Sequence, residues 1–541
     1  MGATSKNNGS GQPIIAAATL IAVLSLASRI LGLFRDRILA STFGAGAVLD
    51  SYYAAFRIPD LLFNLLGLGA LSAAFLPIFV RLRRSDSNRA ASFASSVASD
   101  LAIALAVIGG LGAIAAPALF ALIVPGFSPE QLALTISFGR IMFLATFFLG
   151  CSAVVGSILQ SERRFLAFAG APLAYNAGII IGAIALVPLF GPLGLAWGVV
   201  LGAALHFAIQ SIAARRIIDF RFRWHWRPSW HDMDVRRMIV LLVPRIFGLA
   251  SDQVAFVVIV GIASTLTAGT LAVFTFAQNI AMVPVALVGV AFAVAAFPQL
   301  AASAQESDRT QLRAHISAGI RQILLLAFPA AVVLIALKAQ VVRVLLGSGA
   351  FDWQDTIQTL QTLEAFGLGL IAAMLLPLLA RAFYAIEDTR TPFFIGMGTN
   401  LLGIIAAFPL GAQFGPRGLA FAMALAMTIQ AALLIALLRA RLGPLGGRRI
   451  IGATLRFALA ALAMGVVVQF MKPAIANFTG TDTFFGIGAQ GLVAAILGCA
   501  VYLAVGILLR SPEITALARA LHRRVLRVIP LPSSGADEAR G

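Results

Sequence analysis

Charge is scarce in this chain. Of 541 residues, 11% are Asp, Glu, Lys or Arg, where a soluble domain typically carries about 25%. A soluble chain of this length would need several domains, each with a polar surface, and the polar residues for that are absent. Cysteine is almost missing. Cys151 and Cys499 both fall in apolar runs, which excludes a disulfide framework or a cysteine metal site. Histidine is nearly as rare. Of His206, His225, His231, His315 and His522 only His225 and His231 lie close together, in a basic loop beside Trp224, Trp226 and Trp230. That loop suits an interfacial anchor better than a metal site. No H-E-x-x-H, G-x-S-x-G or P-loop pattern occurs, so the common signatures of metal-dependent, nucleophilic and nucleotide-driven enzymes are lacking. No cleavable signal peptide stands out, since the first apolar run continues without a small-residue cleavage site.

What is abundant is apolar sequence. Hydrophobic residues make up 60% of the chain and the mean hydropathy is +0.95. They lie in runs of roughly twenty or more, the length that crosses a hydrocarbon core about 30 Å thick. A barrel would instead show alternating segments of about ten residues, so the spans are helical. About fourteen spans are predicted, near 13–34, 50–80, 91–124, 132–160, 165–189, 194–214, 238–263, 270–300, 315–337, 357–385, 392–412, 416–438, 451–472 and 486–509. The fold class is an all-α polytopic membrane protein.

The net charge of +18 raises the question of nucleic acid, and the placement of the charges answers it. Arg81, Arg83, Arg84 and Arg89 share one loop, and Arg163 and Arg164 the next but one. Seven arginines occupy 214–237, and further groups follow at Arg309 and Arg313, at Arg390, at 439–449 and beyond Arg510. The alternate loops 125–131, 190–193 and 264–269 hold no Lys or Arg; Lys338, Arg343, Arg417 and Lys472 are the exceptions. Such alternation is the positive-inside pattern, and it puts the basic loops and both termini in the cytoplasm of an inner membrane. No nucleic-acid partner is implied. Residues 1–12 and 531–541 read as disordered tails. Residues 511–530 read as an amphipathic helix lying on anionic lipid.

The sequence also resembles itself. FGPLGLAWG at 190–198 returns as FGPRGLAFA at 414–422, and Asn176 and Asn400 are separated by the same 224 residues. SERRF at 161–165 answers EDTRT at 387–391, AAFLP at 73–77 answers VAAFP at 294–298, and AG at 45–46 answers AG at 268–269. Two six-helix lobes follow, 13–214 and 238–438, each beginning in the cytoplasm. They are related by a pseudo-two-fold axis along the membrane normal, with a substrate site expected between repeats as in secondary transporters. The spans within 451–509 belong to neither lobe.

Several charges fall inside the spans, where each costs about 2.5–3.5 kcal/mol even on lenient scales. Arg29 and Asp36 share a helix face with Gly32, and Arg35 and Arg37 flank Asp36. Asp50 and Arg57 are seven residues apart on the next span, with Pro59 set to interrupt it and Asp60 just beyond. Arg245 and Asp252 are likewise seven apart, and Arg140 and Arg381 lie in further spans. For Arg37 a cap of the first span is the simpler role, and Arg381 fits snorkelling to the interface equally well. Neighbouring helices that carry such charges imply a hydrated cavity. Its cationic balance suits a phosphate or diphosphate, which arginine matches with paired hydrogen bonds.

The motifs SRILGLFRD (28–36), FGAGAVLDSYYAAFRIPDLL (43–62), GALSAAFLP (69–77), GSILQSERRFLAFAGAPLAYN (156–176) and AFYAIEDTRTP (382–392) resemble the MurJ/MviN family of the MOP exporter superfamily. The resemblance implies a flippase that moves lipid II, the undecaprenyl-diphosphate-linked peptidoglycan precursor, from the cytoplasmic to the outer leaflet by alternating access. It also implies that 451–509 forms a groove for the lipid tail. Cell-wall synthesis machinery is an expected neighbour. No cofactor is implied, and coupling to the membrane potential or to an ion is left open. The substrate-binding residues it implies are Arg29, Arg35, Asp36, Asp50 and Arg57, with Arg245 and Arg381 as added sources of positive charge. The chain departs from the family pattern at Phe63 and Asn64, where an arginine pair is common. It departs again at Asn279, where many relatives carry arginine, and at Ile259, where a sodium site would need an acid. A flippase for another undecaprenyl-linked glycan is the nearest alternative. A multidrug exporter would favour cationic cargo, and an integral membrane enzyme would need a cluster of acid, base or metal residues that the chain does not offer.

Overall fold

A computed structural model of the chain describes residues 12–64, 70–215, 217, 224–226, 229–306, 309–480 and 483–519, without the side chains of 12–18, 70, 73, 243–250 and 252. Among the described residues every regular element is helical. The order begins α1 (Gln12–Phe43), α2 (Ala47–Ala55), α3 (Arg57–Phe63), α4 (Ala70–Ser85), α5 (Ser87–Ile123), α6 (Pro129–Ser161), α7 (Phe165–Ile181), α8 (Val187–Phe190), α9 (Leu193–Arg215) and α10 (Met233–Ser264). It continues α11 (Thr270–Pro284), α12 (Ala291–Ala304), α13 (Thr310–Ala336), α14 (Lys338–Leu345), α15 (Trp353–Ala385), α16 (Arg390–Phe414), α17 (Pro416–Leu442), α18 (Gly447–Thr479) and α19 (Phe484–Leu508). Single π-helical turns, Gly182–Leu186 and Val285–Val290, join α7 to α8 and α11 to α12.

Among the described residues, eleven helices are long and apolar enough to cross a membrane: α5, α6, Phe165–Phe190, α9, Thr270–Ala304, α13 and α15 to α19. The three other predicted spans overlap α1, α2 to α4, and α10. The second of these is broken into pieces of 9, 7 and 16 residues, each too short to cross alone. Large apolar side chains stand exposed along the long helices, among them Leu122, Leu462, Phe470 and Phe478, as expected of a multi-pass protein whose outer solvent is lipid.

By internal contacts the chain divides into two units. One comprises Met1–Val283, Leu345–Phe366 and Phe393–Ala426, the other Pro284–Val344, Gly367–Pro392 and Met427–Gly541. In the first, Phe75 stacks on Phe79 and Phe93, each with ring centroids 5.2 Å apart, inside a core shared by α4, α5, α6 and α10. α7 and α9 meet backbone to backbone. A Cβ on Gly182 would lie 2.4 Å from the Gly198 Cα, and one on Gly178 would lie 2.2 Å from the Gly202 Cα. The basic loop before α10 is tied down by acids: Arg89 pairs with Asp232 at 2.9 Å, Arg81 with Asp234 at 2.6 Å, and the Ser229 amide donates to Asp100 at 3.1 Å. Trp226 and Trp230 stay exposed there, as an anchor requires; Arg216, Arg221, Arg223 and Arg227 lie outside the described residues.

In the second unit α18 packs on α19 and α13. Tyr502 donates to the Leu325 carbonyl at 2.9 Å, and Arg321 pairs with Glu513. Residues 512–519 are helical, while the rest of the expected amphipathic helix and both predicted tails lie outside the described residues, apart from the first residue of α1.

Several positions 224 residues apart share backbone geometry. Gly191 and Gly415, 224 residues apart, both adopt φ of 60° in their Gly-Pro turns, a left-handed value that favours glycine. Arg163 and Glu387, at the same offset, are two of the three non-glycine residues with positive φ among the described residues, at 56° and 61°. A Cβ on Gly194 would meet the Leu186 backbone, and one on Gly418 would meet that of Leu410, both pairs again 224 apart.

Candidate functional site

The second predicted span is not one helix. α2 ends at Ala55, Phe56 forms a turn, and α3 starts at Arg57. Pro59 causes this. Its ring would clash with the carbonyl four residues back, that of Ala55, and its missing N–H costs nothing in the first turn of a new helix. Arg57 therefore opens a helix instead of lying deep within one.

Arg35 and Asp36 form the centre of the site. Adjacent residues on a helix normally diverge. Here Arg35 Nη2 and Nε both donate to Asp36 Oδ1, at 2.7 and 3.0 Å. Its other arm, Nη1, donates to Asn176 Oδ1 on α7 at 3.1 Å. The Asn176 amide in turn donates to the Pro172 carbonyl at 3.1 Å and the Ser28 hydroxyl at 3.3 Å. The second carboxylate oxygen of Asp36 accepts from Asn279 Nδ2 on α11 at 2.8 Å. The Asp36 side chain is 3% exposed and that of Arg35 21%. A buried ion pair holds its charge only when its remaining hydrogen-bonding groups are met, and the two asparagines meet them.

Arg57 is joined to this pair electrostatically through Tyr53, which feels the charges of all three. Its Nε donates to the Tyr53 carbonyl at 3.0 Å, and its guanidinium sits 4.4 Å from the centre of the Phe256 ring on α10, a cation–π contact. Asp60 is within electrostatic reach of both Arg57 and Arg35. The four formal charges cancel, so the cluster is not the purely cationic lining that counting arginines suggests.

The other residues singled out from sequence are distributed differently. Asp50 does not join the cluster. It is 2% exposed and its two oxygens accept from the Gly269 amide at 2.6 Å and the Ala272 amide at 2.8 Å, capping the start of α11. It sits seven residues, about 10 Å of helix, from Arg57. Arg29 is exposed on α1. Arg245 lies on α10, and its side chain, like that of Asp252, is outside the described residues. Arg381 belongs to the second unit, where its Nη1 donates to the Pro377 carbonyl one turn earlier at 3.3 Å. Ile259 is buried at 3% exposure, with no carboxylate of its own to offer a cation. Among the described residues no group of three or more His, Cys, Asp or Glu side chains is placed to hold a metal. Asn176 and Asn279 are the site members that sequence reasoning did not assign. Both are polar residues in apolar helices, the signal that could have found them.

This helical membrane fold is shared with transporters of the MOP superfamily. It aligns with an inward-facing multidrug resistance MATE transporter of that superfamily at a TM-score of 0.64 and 18% identity, covering 79% of this chain and 99% of that one. It aligns better with a structure of lipid II flippase MurJ in an inward closed conformation, at a TM-score of 0.76 and 25% identity over 94% of this chain and all of the other. The chain belongs to the MurJ family: the family model described as lipid II flippase MurJ matches residues 39–487. The probable lipid II flippase MurJ of Rhizobium tropici is 30% identical over 537 residues, covering 96% of this chain and 97% of that protein. Lipid II flippase MurJ of Burkholderia cenocepacia is 29% identical over 424 residues, 77% of this chain and 82% of the relative.

Proposed function

We propose that this chain flips lipid II from the cytoplasmic to the outer leaflet of the bacterial inner membrane, with its two six-helix repeats, 13–214 and 238–438, alternating access to one site. Membership of the MurJ family supports the cargo. The alternating charge of the loops supports cytoplasmic termini. The observation that carries the site is the Arg35–Asp36 pair held between Asn176 and Asn279.

That pair explains how a diphosphate can be bound and released. Arg35 already gives two N–H groups to one carboxylate oxygen, the geometry it would give a phosphate. An incoming diphosphate competes with Asp36 for the same donors. Asn279 keeps Asp36 hydrogen-bonded while Arg35 turns to the cargo, and the carboxylate reclaims Arg35 when the cargo leaves. An anion exchange of this kind avoids an unpaired buried arginine at either end of the cycle. Arg57, held over Phe256, supplies the second positive charge. No cofactor enters the cycle. The driving force is the membrane potential or an ion taken up away from Ile259, and cell-wall synthesis enzymes supply and consume the cargo.

The test is complementation of a strain depleted of its lipid II flippase. The wild-type chain is expected to restore growth, and Arg35→Ala to fail at equal membrane abundance. Rescue of a surface-polymer flippase mutant without rescue of peptidoglycan synthesis would reassign the cargo to another undecaprenyl-linked glycan.

A further inference from the structure

Tyr53 lies one helical turn before Arg57 and gives that arginine its carbonyl acceptor. Its ring is 5% exposed and packs edge-on against Tyr52 and against Phe276, at 5.4 and 5.9 Å between centroids. Phe276 is three residues from Asn279, the donor to Asp36, so the Tyr53 ring is carried to the charged cluster from α2 as Phe276 is from α11. The charges of Asp36, Arg35 and Arg57 all act on its phenol. Yet the hydroxyl is buried with no hydrogen-bond partner among the described residues. In the Arg35–Asp36 pair, by contrast, both Asp36 oxygens accept and Arg35 donates from three nitrogens.

An unmet buried hydroxyl is unfavourable, and a phenylalanine would have filled the same space without that cost. A hydroxyl is useful there if another conformation gives it a partner. A ligand shifts a conformational equilibrium only through contacts that differ between the states, and a donor unmet in one state and engaged in the other is such a contact. Resting on the reading that this cluster receives a diphosphate, we infer that the Tyr53 hydroxyl is a further donor to the phosphate oxygens of the cargo. It stays unpartnered in the conformation described and is engaged when the headgroup enters. Neither Asp36 oxygen accepts from the Tyr53 hydroxyl in the conformation described, and an arriving phosphate would bring acceptors of its own. Tyr53 thus adds a neutral donor beside the two guanidinium groups, and favours anionic cargo over a cation that would have to displace Arg35.

The experiment compares the full-length wild type with Tyr53→Phe in lipid nanodiscs, measuring binding of fluorescent lipid II and thermal unfolding. Tyr53→Phe removes only the oxygen. Roughly tenfold weaker lipid II binding is expected, the loss of one charge-assisted hydrogen bond, with a melting temperature equal to or above that of wild type. Equal binding by the two proteins overturns the inference and leaves the flippase reading intact. Weaker binding with a lowered melting temperature also overturns it, because the hydroxyl would then be structural. Failure of the wild type itself to bind lipid II sinks the underlying reading instead.

Discussion

Two stretches that resemble each other in sequence use one hydrogen-bonded frame and fill it with opposite chemistry. In the first, Asn176 on α7 reaches the Ser28 hydroxyl on α1 at 3.3 Å. In the second, Asn400 on α16 reaches the Ser251 hydroxyl on α10 at 3.5 Å. The serines are 223 residues apart and the asparagines 224. Seven and eight residues beyond Ser28 come Arg35 and Asp36; the same steps from Ser251 lead to Val258 and Ile259. Both stretches thus make the serine–asparagine contact, while only the first carries an arginine–aspartate pair at these steps. Two positions matched in sequence could each hold a charge, and only one does.

The largest effect should come from breaking the pair unevenly. Asp36→Ala leaves Arg35 buried without its carboxylate and should destabilise by about 3–5 kcal/mol, whereas the double change R35V/D36I, which copies the second repeat, should stay within about 1–2 kcal/mol of wild type. Both should abolish complementation. Thermal unfolding of the purified proteins separates the two, and a double variant as unstable as Asp36→Ala would show that the pair holds the fold and not only the cargo.

The helix seam sharpens the same comparison. Gly198 in α9 meets the backbone of α7, and its counterpart in α17 is Ala422, fully buried. Gly198→Ala should cost about 1–3 kcal/mol by overpacking, and Ala422→Gly about 1 kcal/mol, as glycine does within a helix. Equal costs in unfolding experiments would erase the distinction between the two seams.

Smaller still is the contrast at the polar turns SERRF and EDTRT. Arg164 occupies the position in the first repeat that Asp388 occupies in the second. Partial burial raises the Asp388 carboxyl, but hydrogen bonds from Thr391 and the Arg441 guanidinium outweigh it and hold the group below the usual carboxylate range. Because its folded value is depressed, this stabilisation is complete above the ordinary aspartate range and is lost as pH falls towards the folded value. Asp388→Asn should cost less than about 1 kcal/mol at neutral pH, since Arg441 is largely exposed, and the difference from wild type should vanish in acid. A pH series of melting temperatures checks both the size and the sign.

Much of this was legible in the sequence because membrane helices announce themselves by composition. Charge in an apolar run picked out Arg35, Asp36 and Arg57, and the repeat picked out Asn176 before any role could be given to it. Pro59 foretold an interruption, which falls at Phe56. What the sequence could not convey was partnership across helices. Asp50 and Arg57 share a helix face by spacing, yet Asp50 caps α11, because the start of α11 needs an acceptor that no local side chain supplies. Asn279 read as a lost arginine, although it holds Asp36. Tyr53 gave no signal, since a tyrosine in an aromatic run looks like packing until its hydroxyl is found without a partner.

The α7–α9 contact carries a mechanical consequence. Where Cα faces Cα there are no side chains to change rotamer and no methylene cushion to compress, so neither helix can slide or roll on the other without atoms colliding. These two helices must travel as a single strut. Any rearrangement that exposes Asn176 to one side of the bilayer and then the other has to find its play at looser joints, such as the turn at Phe56.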